Sequence, residues 1–128
     1  NMKKIISTDK APSAIGAYSQ GVSFDNLFFT SGQIPLNPRT GKLIEGNFKV
    51  QVKQVLENLC FVMKAAGCSI ENIMKITVYL VDLNDYQDLN EVFNDYFINS
   101  LPARSVVQVL ALPMEAKLEI DAIGFIDK

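Results

Sequence analysis

The sequence contains no histidine and no tryptophan, and only two of its 128 residues are cysteines. Without histidine, neither a Ser-His-Asp nor a Cys-His catalytic arrangement can be built, and a catalytic zinc or iron site is not expected. The spacing of Cys60 and Cys68 fits no CxxC or zinc pattern, so we predict no metal site and no cofactor. Acid–base chemistry must then come from a carboxylate, a tyrosine, a lysine or water, which favours an already reactive substrate.

Long apolar runs and an excess of either charge are also lacking. No stretch approaches the roughly 18 apolar residues of a membrane span, and the N-terminal residues have no apolar signal core. We therefore expect a cytoplasmic protein without membrane contact. Twelve Lys and Arg against 14 Asp and Glu give a net charge of −2, which does not favour nucleic-acid binding. With 48% hydrophobic residues, residues 1–128 are expected to fold as a single domain.

Hydrophobic periodicity predicts the element order β, ββ, α, β, α, β, β, which is typical of an α+β domain. The predicted segments are residues 3–6, 22–31 (a hairpin), 48–66 (a helix), 73–81, 86–99 (a helix), 104–112 and 117–126. Asp25 and Asn26 tolerate positive φ and form the predicted hairpin turn. Asn47 and Gly67 are predicted to cap the first helix. Both helices are expected on one face of a mixed sheet.

Alternation along two strands predicts which side chains share a face. In one strand a helix is expected to pack on an inner face formed by Met74, Ile76, Val78 and Leu80, and in the last strand Leu118, Ile120 and Ala122 face one way. Glu119 alternates with the latter group, either in a solvent-facing charged row or in a cleft near Arg104. The other face of the sheet carries Thr77 and Tyr79, which suggests burial against other subunits.

Arg104 is the only charged residue between Asp95 and Glu115, and it follows Pro102 at the start of a β-branched strand. A strand this apolar is expected to be buried on both faces, which places Arg104 at the end of a sheet. Its guanidinium offers five N–H donors in a rigid fork that matches a carboxylate or phosphate. The alternative is an ordinary surface arginine at a strand end.

Further polar residues are suited to line a pocket. A loop rich in Pro, Gly and Ser carries Tyr18 and Gln20, whose polar tips can face a pocket, although Tyr18 can equally cap the core. Ser31 and Gly32 end a strand, where small residues let a ligand or another backbone approach closely, and a plain turn is the alternative. Asn90, near the start of the second helix, is either solvated or holds a loop or ligand.

Four motifs occur in a fixed order along the chain: AIGAYSQG at 14–21, TSGQIP at 30–35, PARS at 102–105 and LEIDA at 118–122. Together they resemble the Rid/YjgF family, and most closely its RidA branch of enamine/imine deaminases. The resemblance implies a chorismate-mutase-like α+β fold and a homotrimer whose sheets face inward, with clefts between subunits. It also implies hydrolysis of 2-aminoacrylate, 2-aminocrotonate and their imines, released by pyridoxal-phosphate enzymes, to 2-keto acids and ammonia.

The resemblance assigns roles to residues of the cleft. Arg104 is expected to hold the substrate carboxylate, and Glu119 to position or deprotonate the attacking water. Gly32 and the backbone of Val106 are expected to lie against the substrate. The polar residues expected to line or support the cleft are Tyr18, Ser31 and Asn90. Val106 stands where many relatives have cysteine, which argues against a thiol role, and residues 98–101 are shorter than usual.

Three functions are therefore compared. Arg104 suits both a deaminase and a non-catalytic protein that binds or senses a 2-keto acid, whereas Glu119 favours the enzyme. RNA cleavage or translation inhibition has been linked to some members of the family. The net charge of −2 and the lack of an aromatic–basic stripe disfavour that third function here.

Overall fold

The computed structural model describes residues 2–127, in which a six-stranded mixed sheet carries two helices on one face. The strands are β1 (Lys4–Ile6), β2 (Gly21–Phe24), β3 (Leu27–Thr30), β4 (Ile73–Leu80), β5 (Ala103–Gln108) and β6 (Leu118–Phe125). The helices are α1 (Phe48–Ala66) and α2 (Tyr86–Tyr96). The strand order is β1-β2-β3-β6-β4-β5, with β4 and β5 parallel and the other described pairs antiparallel. The predicted element order is confirmed.

Helix α1 has the predicted bounds and caps. The Asn47 side chain accepts a hydrogen bond from the backbone N–H of Val50 at 3.0 Å, and Gly67 ends the helix in the left-handed region at φ 90°. Its buried apolar residues are Phe48, Val52, Val55, Leu56, Leu59, Val62 and Met63. Each such side chain contributes about 1.5–3 kcal/mol relative to exposure, so this face holds α1 on the sheet. Neither described helix combines the length and apolarity needed to cross a membrane.

Strand β6 lies between β3 and β4 and positions the chain segment that follows β3. The β2–β3 hairpin turns at Asp25 with φ 54°, as predicted, and β3 then pairs with β6. Beyond β3, Gln33 exchanges two backbone hydrogen bonds with Ile120, at 2.8 and 3.0 Å. These bonds hold Gly32 beside Glu119 on β6.

The predicted inner face of β4 is wrong at one position. Ile76, Val78 and Leu80 are buried as expected, but Met74 is 42% exposed. The cause is a bulge between Ile73 and Lys75, which offsets the alternation by one residue. Ile73 is buried in place of Met74.

Helix α2 and strand β5 both end earlier than predicted. Phe97 leaves the helical conformation at φ −101° and ψ 72°, and its ring packs 5.2 Å from that of Phe93, so α2 stops at Tyr96. Strand β5 stops at Gln108 rather than Leu112 because its described partner, β4, ends at Leu80.

The prediction that β5 is buried on both faces is also wrong within one chain. Among the described strands, β5 pairs only with β4 and forms an edge of the sheet, so Val107 is 44% exposed. It belongs to what we call the open face, the side of the sheet turned away from the helices. Ile5 and Phe29 lie exposed on this face, as does a polar row in which the Tyr79 hydroxyl donates to Asp121 Oδ2 at 3.2 Å.

Gly124 on β6 leaves no room for a side chain. A Cβ at this position would lie 2.5 Å from Phe28 Cε1 and 2.8 Å from the Asn72 carbonyl oxygen. Because Phe28 is fully buried and the Asn72 atom is backbone, Gly124→Ala is expected to lower the free energy of unfolding by about 1–3 kcal/mol. Urea unfolding at one protein concentration measures the change. Gly16→Ala is the matched control, since its Cβ meets only Tyr18 atoms at 3.5 Å or more; equal losses would contradict the packing argument.

Candidate active site

The predicted site residues form two clusters on opposite faces of the sheet. Arg104 is in register with Ile76, which is buried beneath the helices, so Arg104 faces α2. Glu119 is in register with Tyr79 and therefore lies on the open face, because residues an odd number apart on one strand point to opposite sides. The two side chains therefore do not share a cleft within one chain, and the predicted cleft with Glu119 near Arg104 stays a prediction. The arginine cluster contains Arg104, Asn90 and Val106, and the glutamate cluster contains Glu119, Tyr18, Ser31 and Gly32.

The guanidinium of Arg104 is held by three side chains of α2. Its Nη2 atom donates to Asn90 Oδ1 at 2.7 Å and to the Tyr86 hydroxyl oxygen at 3.1 Å. The guanidinium carbon lies 5.4 Å from the centre of the Tyr86 ring and 5.1 Å from that of Phe93, within range of cation–π attraction. Sequence reasoning missed Tyr86 and Phe93. Their spacing from Asn90, four and three residues, was a usable signal because such residues share one helix face.

Arg104 has only neutral partners. In residues 2–127 the one ion pair joins Lys49 and Glu91, whose charged atoms lie 3.2 Å apart, so the Arg104 charge is not compensated by a carboxylate of the chain. A cavity of about 410 Å³ adjoins the guanidinium. Its lining residues are Asn90, Phe93, Asn94, Leu101, Pro102 and Arg104. A fixed and partly buried cation of this kind is prepared to bind an anion.

Val106 lies two residues after Arg104 on β5 and therefore on the same face of the strand. It is in register with Val78 and packs against the main hydrophobic core. Its side chain thus serves packing, while its backbone runs beside Arg104 on the edge strand.

The carboxylate of Glu119 rests against the backbone of Gly32. A Cβ at residue 32 would overlap Oε2, so only glycine leaves the carboxylate where it is. The group borders a cavity of about 280 Å³. Its lining residues are Ile15, Tyr18, Ser31, Gly32, Ile34, Pro113 and Glu119. A carboxylate thus faces a largely apolar hollow beside a strand end.

Gln20 folds the loop that brings Tyr18 to this cavity. It is buried, and its Nε2 atom donates to the carbonyl oxygens of Thr8, Ala11 and Pro12 at 3.0, 3.3 and 2.8 Å. Its Oε1 accepts from the Thr8 N–H at 2.7 Å. Gln20 does border a cavity, as expected, but its amide atoms are used within the loop.

Tyr18 and Ser31 are also tied to their surroundings. The Tyr18 hydroxyl accepts from the Ile15 N–H at 3.1 Å, which leaves its own proton available to the cavity. The Ser31 hydroxyl donates to the Ser19 carbonyl at 2.5 Å, which leaves acceptor capacity only. The two hydroxyls therefore differ in what they offer a ligand.

Burial and a neighbouring charge both raise the pKa of Glu119. Desolvation is the larger cause that raises its pKa, and the negative charge of Asp121 adds to it. Burial likewise raises the pKa of Asp121, against the hydrogen bond from Tyr79 and the charge of Lys75. A carboxylate whose pKa is raised is a stronger base, which suits it to accept a proton.

The cysteines take no part in either cluster. Burial raises the pKa of Cys60, whose sulfur lies 3.3 Å from the Tyr96 hydroxyl, and raises that of Cys68 to about 11. Both thiols are therefore poor nucleophiles at neutral pH. Within the described part of the chain, no group of three His, Cys, Asp or Glu side chains is arranged to hold a metal ion.

The chain is similar to known proteins over most of its length. Residues 8–126 match the family described as endoribonuclease L-PSP. The 2-iminobutanoate/2-iminopropanoate deaminase of Rattus norvegicus is 48% identical over 96% of this chain and 90% of that protein. The crystal structure of E. coli TdcF with bound serine is 45% identical, with a TM-score of 0.92 over 97% of this chain and 99% of that one. RidA from the Antarctic bacterium Psychrobacter sp. PAMC 21119 is 46% identical, with a TM-score of 0.93 over 96% and 99%.

Asp121→Asn is expected to lower the pKa of Glu119, because the neighbouring negative charge disfavours ionisation of the glutamate. Burial remains, so the pKa should stay above that of an exposed glutamate. A ¹³C NMR titration of the glutamate carboxyl carbons measures the change, with Glu119→Gln assigning the resonance. Asp95→Asn on α2 is the control; a Glu119 pKa that is unchanged or higher in Asp121→Asn would show that the aspartate charge does not act on it.

Proposed function

The chain belongs to the endoribonuclease L-PSP family, also called Rid/YjgF, and on this premise we propose that it is an enamine/imine deaminase. The proposed substrates are 2-aminoacrylate, 2-aminocrotonate and their imines. The products are 2-keto acids and ammonia. Pyridoxal-phosphate enzymes that dehydrate serine or threonine are the proposed source of these short-lived acids.

The observation that carries the proposal is the uncompensated charge of Arg104. Every substrate of this class has a carboxylate, and Arg104 is a fixed cation whose partners in the described chain are all neutral. A carboxylate bound there would be oriented rather than merely attracted, which contributes to rate through proximity. The relative of known structure with bound serine also holds a molecule that bears a carboxylate.

Glu119 is the proposed general base and acid. Water attacks the imine carbon, the C=N π electrons move to nitrogen, and Glu119 takes a proton from the water and delivers one to the nitrogen. In the resulting carbinolamine, Glu119 takes the hydroxyl proton and delivers a proton to the amine nitrogen. The C=O bond of the keto acid then forms as the C–N bond breaks, ammonia leaves, and Glu119 is again a carboxylate. Because the imine carbon is already electrophilic, no covalent nucleophile is required. General acid–base help of this kind is typically worth about 10²–10⁴-fold.

A site that uses both residues requires more than one subunit. Arg104 and Glu119 lie on opposite faces of the sheet, so we propose that the arginine cluster of one subunit meets the glutamate cluster of its neighbour. A homotrimer supplies three such clefts. The exposed apolar residues Ile5, Phe29 and Val107 on the open face support this assembly, since burying them removes apolar surface from water.

The remaining cleft residues are proposed to shape and orient the substrate. Asn90 holds Arg104 in place, and the Val106 backbone lies along the substrate. Gly32 lets the substrate and the Glu119 carboxylate come close together. Tyr18 and Ser31 supply one hydroxyl donor and one acceptor at the opposite wall.

Arg104→Ala and Glu119→Gln are expected to separate substrate binding from chemistry. In an assay where a serine or threonine dehydratase generates the enamine, the protein should accelerate 2-keto acid formation. Glu119→Gln should lower the acceleration about 10²–10⁴-fold and preserve 2-keto acid binding, whereas Arg104→Ala should lose both. The matched controls are Arg39→Ala and Glu45→Gln, which remove exposed side chains outside both clusters. Binding without any acceleration by the unaltered protein would favour a sensing role instead.

Mixing the two inactive variants tests the shared site. Co-refolded Arg104→Ala and Glu119→Gln chains should regain about a quarter of the wild-type activity, because each mixed trimer contains one interface with both residues intact. Native mass spectrometry should find species of three 14.2 kDa chains in the same sample. Mixed trimers without regained activity would place both residues of a site on one chain.

A further inference from the structure

The donors of the Arg104 guanidinium are unevenly used. Nη2 carries two hydrogens and makes two hydrogen bonds, to the Tyr86 oxygen and to Asn90 Oδ1, so it has none left. The donors without a partner in residues 2–127 are the Nε hydrogen and the two Nη1 hydrogens. A guanidinium can bind a carboxylate through two parallel hydrogen bonds at either of two edges, and Nη2 contributes one hydrogen to each edge. Neither edge is therefore completely free.

The Tyr86 hydroxyl can supply the donor that each edge of the guanidinium lacks. Its oxygen accepts from Arg104, so its own proton is not used in that bond, and it makes no other hydrogen bond within residues 2–127. Whichever edge Tyr86 occupies, a free N–H of Arg104 borders it, on Nη1 at one edge or Nε at the other. The two adjacent free donors are thus one N–H of Arg104 and the O–H of Tyr86.

We propose that Tyr86 is a substrate-binding residue whose hydroxyl donates the second hydrogen bond to the substrate carboxylate. The proposal rests on the proposed function, in which Arg104 holds that carboxylate. Tyr86 is 43% exposed and so within reach of a ligand. The neighbouring ring of Phe93 contacts the same guanidinium but has no hydroxyl, so Tyr86 alone of the two aromatic residues can serve as the donor.

This role affects binding rather than chemistry. The carboxylate keeps its charge from the imine through to the keto acid, so a hydrogen bond to it stabilises the bound substrate and the transition state equally. Loss of such uniform binding raises KM and leaves kcat nearly unchanged. A residue that only held Arg104 in position would act differently, because a misaligned carboxylate also moves the imine carbon away from Glu119 and lowers kcat.

Tyr86→Phe is the test, since it removes the hydroxyl and keeps the ring that packs on Arg104. KM in the dehydratase-coupled assay should rise about tenfold, with kcat within about twofold, as expected for one hydrogen bond to a charged group. The Kd for pyruvate, measured by calorimetry, should rise by a similar factor. Tyr96→Phe is the matched control, because that hydroxyl contacts Cys60 outside both clusters.

Two outcomes for Tyr86→Phe overturn the proposal. Unchanged KM and pyruvate Kd would show that the Tyr86 proton does not reach the carboxylate, and a fall in kcat equal to the rise in KM would assign Tyr86 to positioning Arg104. If the unaltered protein binds pyruvate but does not accelerate keto-acid formation, the deaminase proposal fails, and the calorimetric comparison still decides the role of Tyr86. If pyruvate does not bind, the proposed carboxylate-binding site is refuted, and the proposed role of Tyr86 with it.

Discussion

The position of β6 between β3 and β4 determines where the functional side chains point. Leu118, Ile120 and Ala122 are buried beneath the helices, so the residues that alternate with them must face the other way. A slip of one residue would put Glu119 into the apolar core and expose Leu118, which fixes the register strongly. The same alternation, transmitted through β4, turns Arg104 toward α2.

The two charged groups of the candidate site are held in different ways. Arg104 is fixed by an amide, a hydroxyl and two aromatic rings, whereas Glu119 rests on bare backbone at Gly32. Neither arrangement neutralises the charge within the described chain. Partly buried charges without a counter-charge reduce the stability of the fold. Proteins tend to keep such charges where a ligand supplies the opposite charge.

The sequence was sufficient to predict the elements for which local signals agreed. It was insufficient where pairing between distant parts of the chain determines the structure. Helix α1 combines an N-cap, a C-terminal glycine and an unbroken apolar stripe, so its bounds were predicted correctly. The bulge at Met74 and the early end of β5 depend on how β4 pairs with its neighbours, which no local pattern reveals. For the same reason, the candidate site residues were found by their motifs, but their separation onto two faces was not.

The exposed edge of β5 has a consequence for the freshly synthesised chain. Arg104 is the one charged residue of β5 and points inward, and from Ser105 to Met114 the sequence has no charged residue. Beyond Arg104 the edge therefore lacks the lysines and inward charges that natural proteins use to prevent strand-to-strand association. Until another surface covers it, this edge can template non-native β-pairing between chains. Folding yield should therefore depend on how quickly the edge is covered after synthesis, and the hazard belongs to the isolated subunit rather than to any assembly that covers the edge.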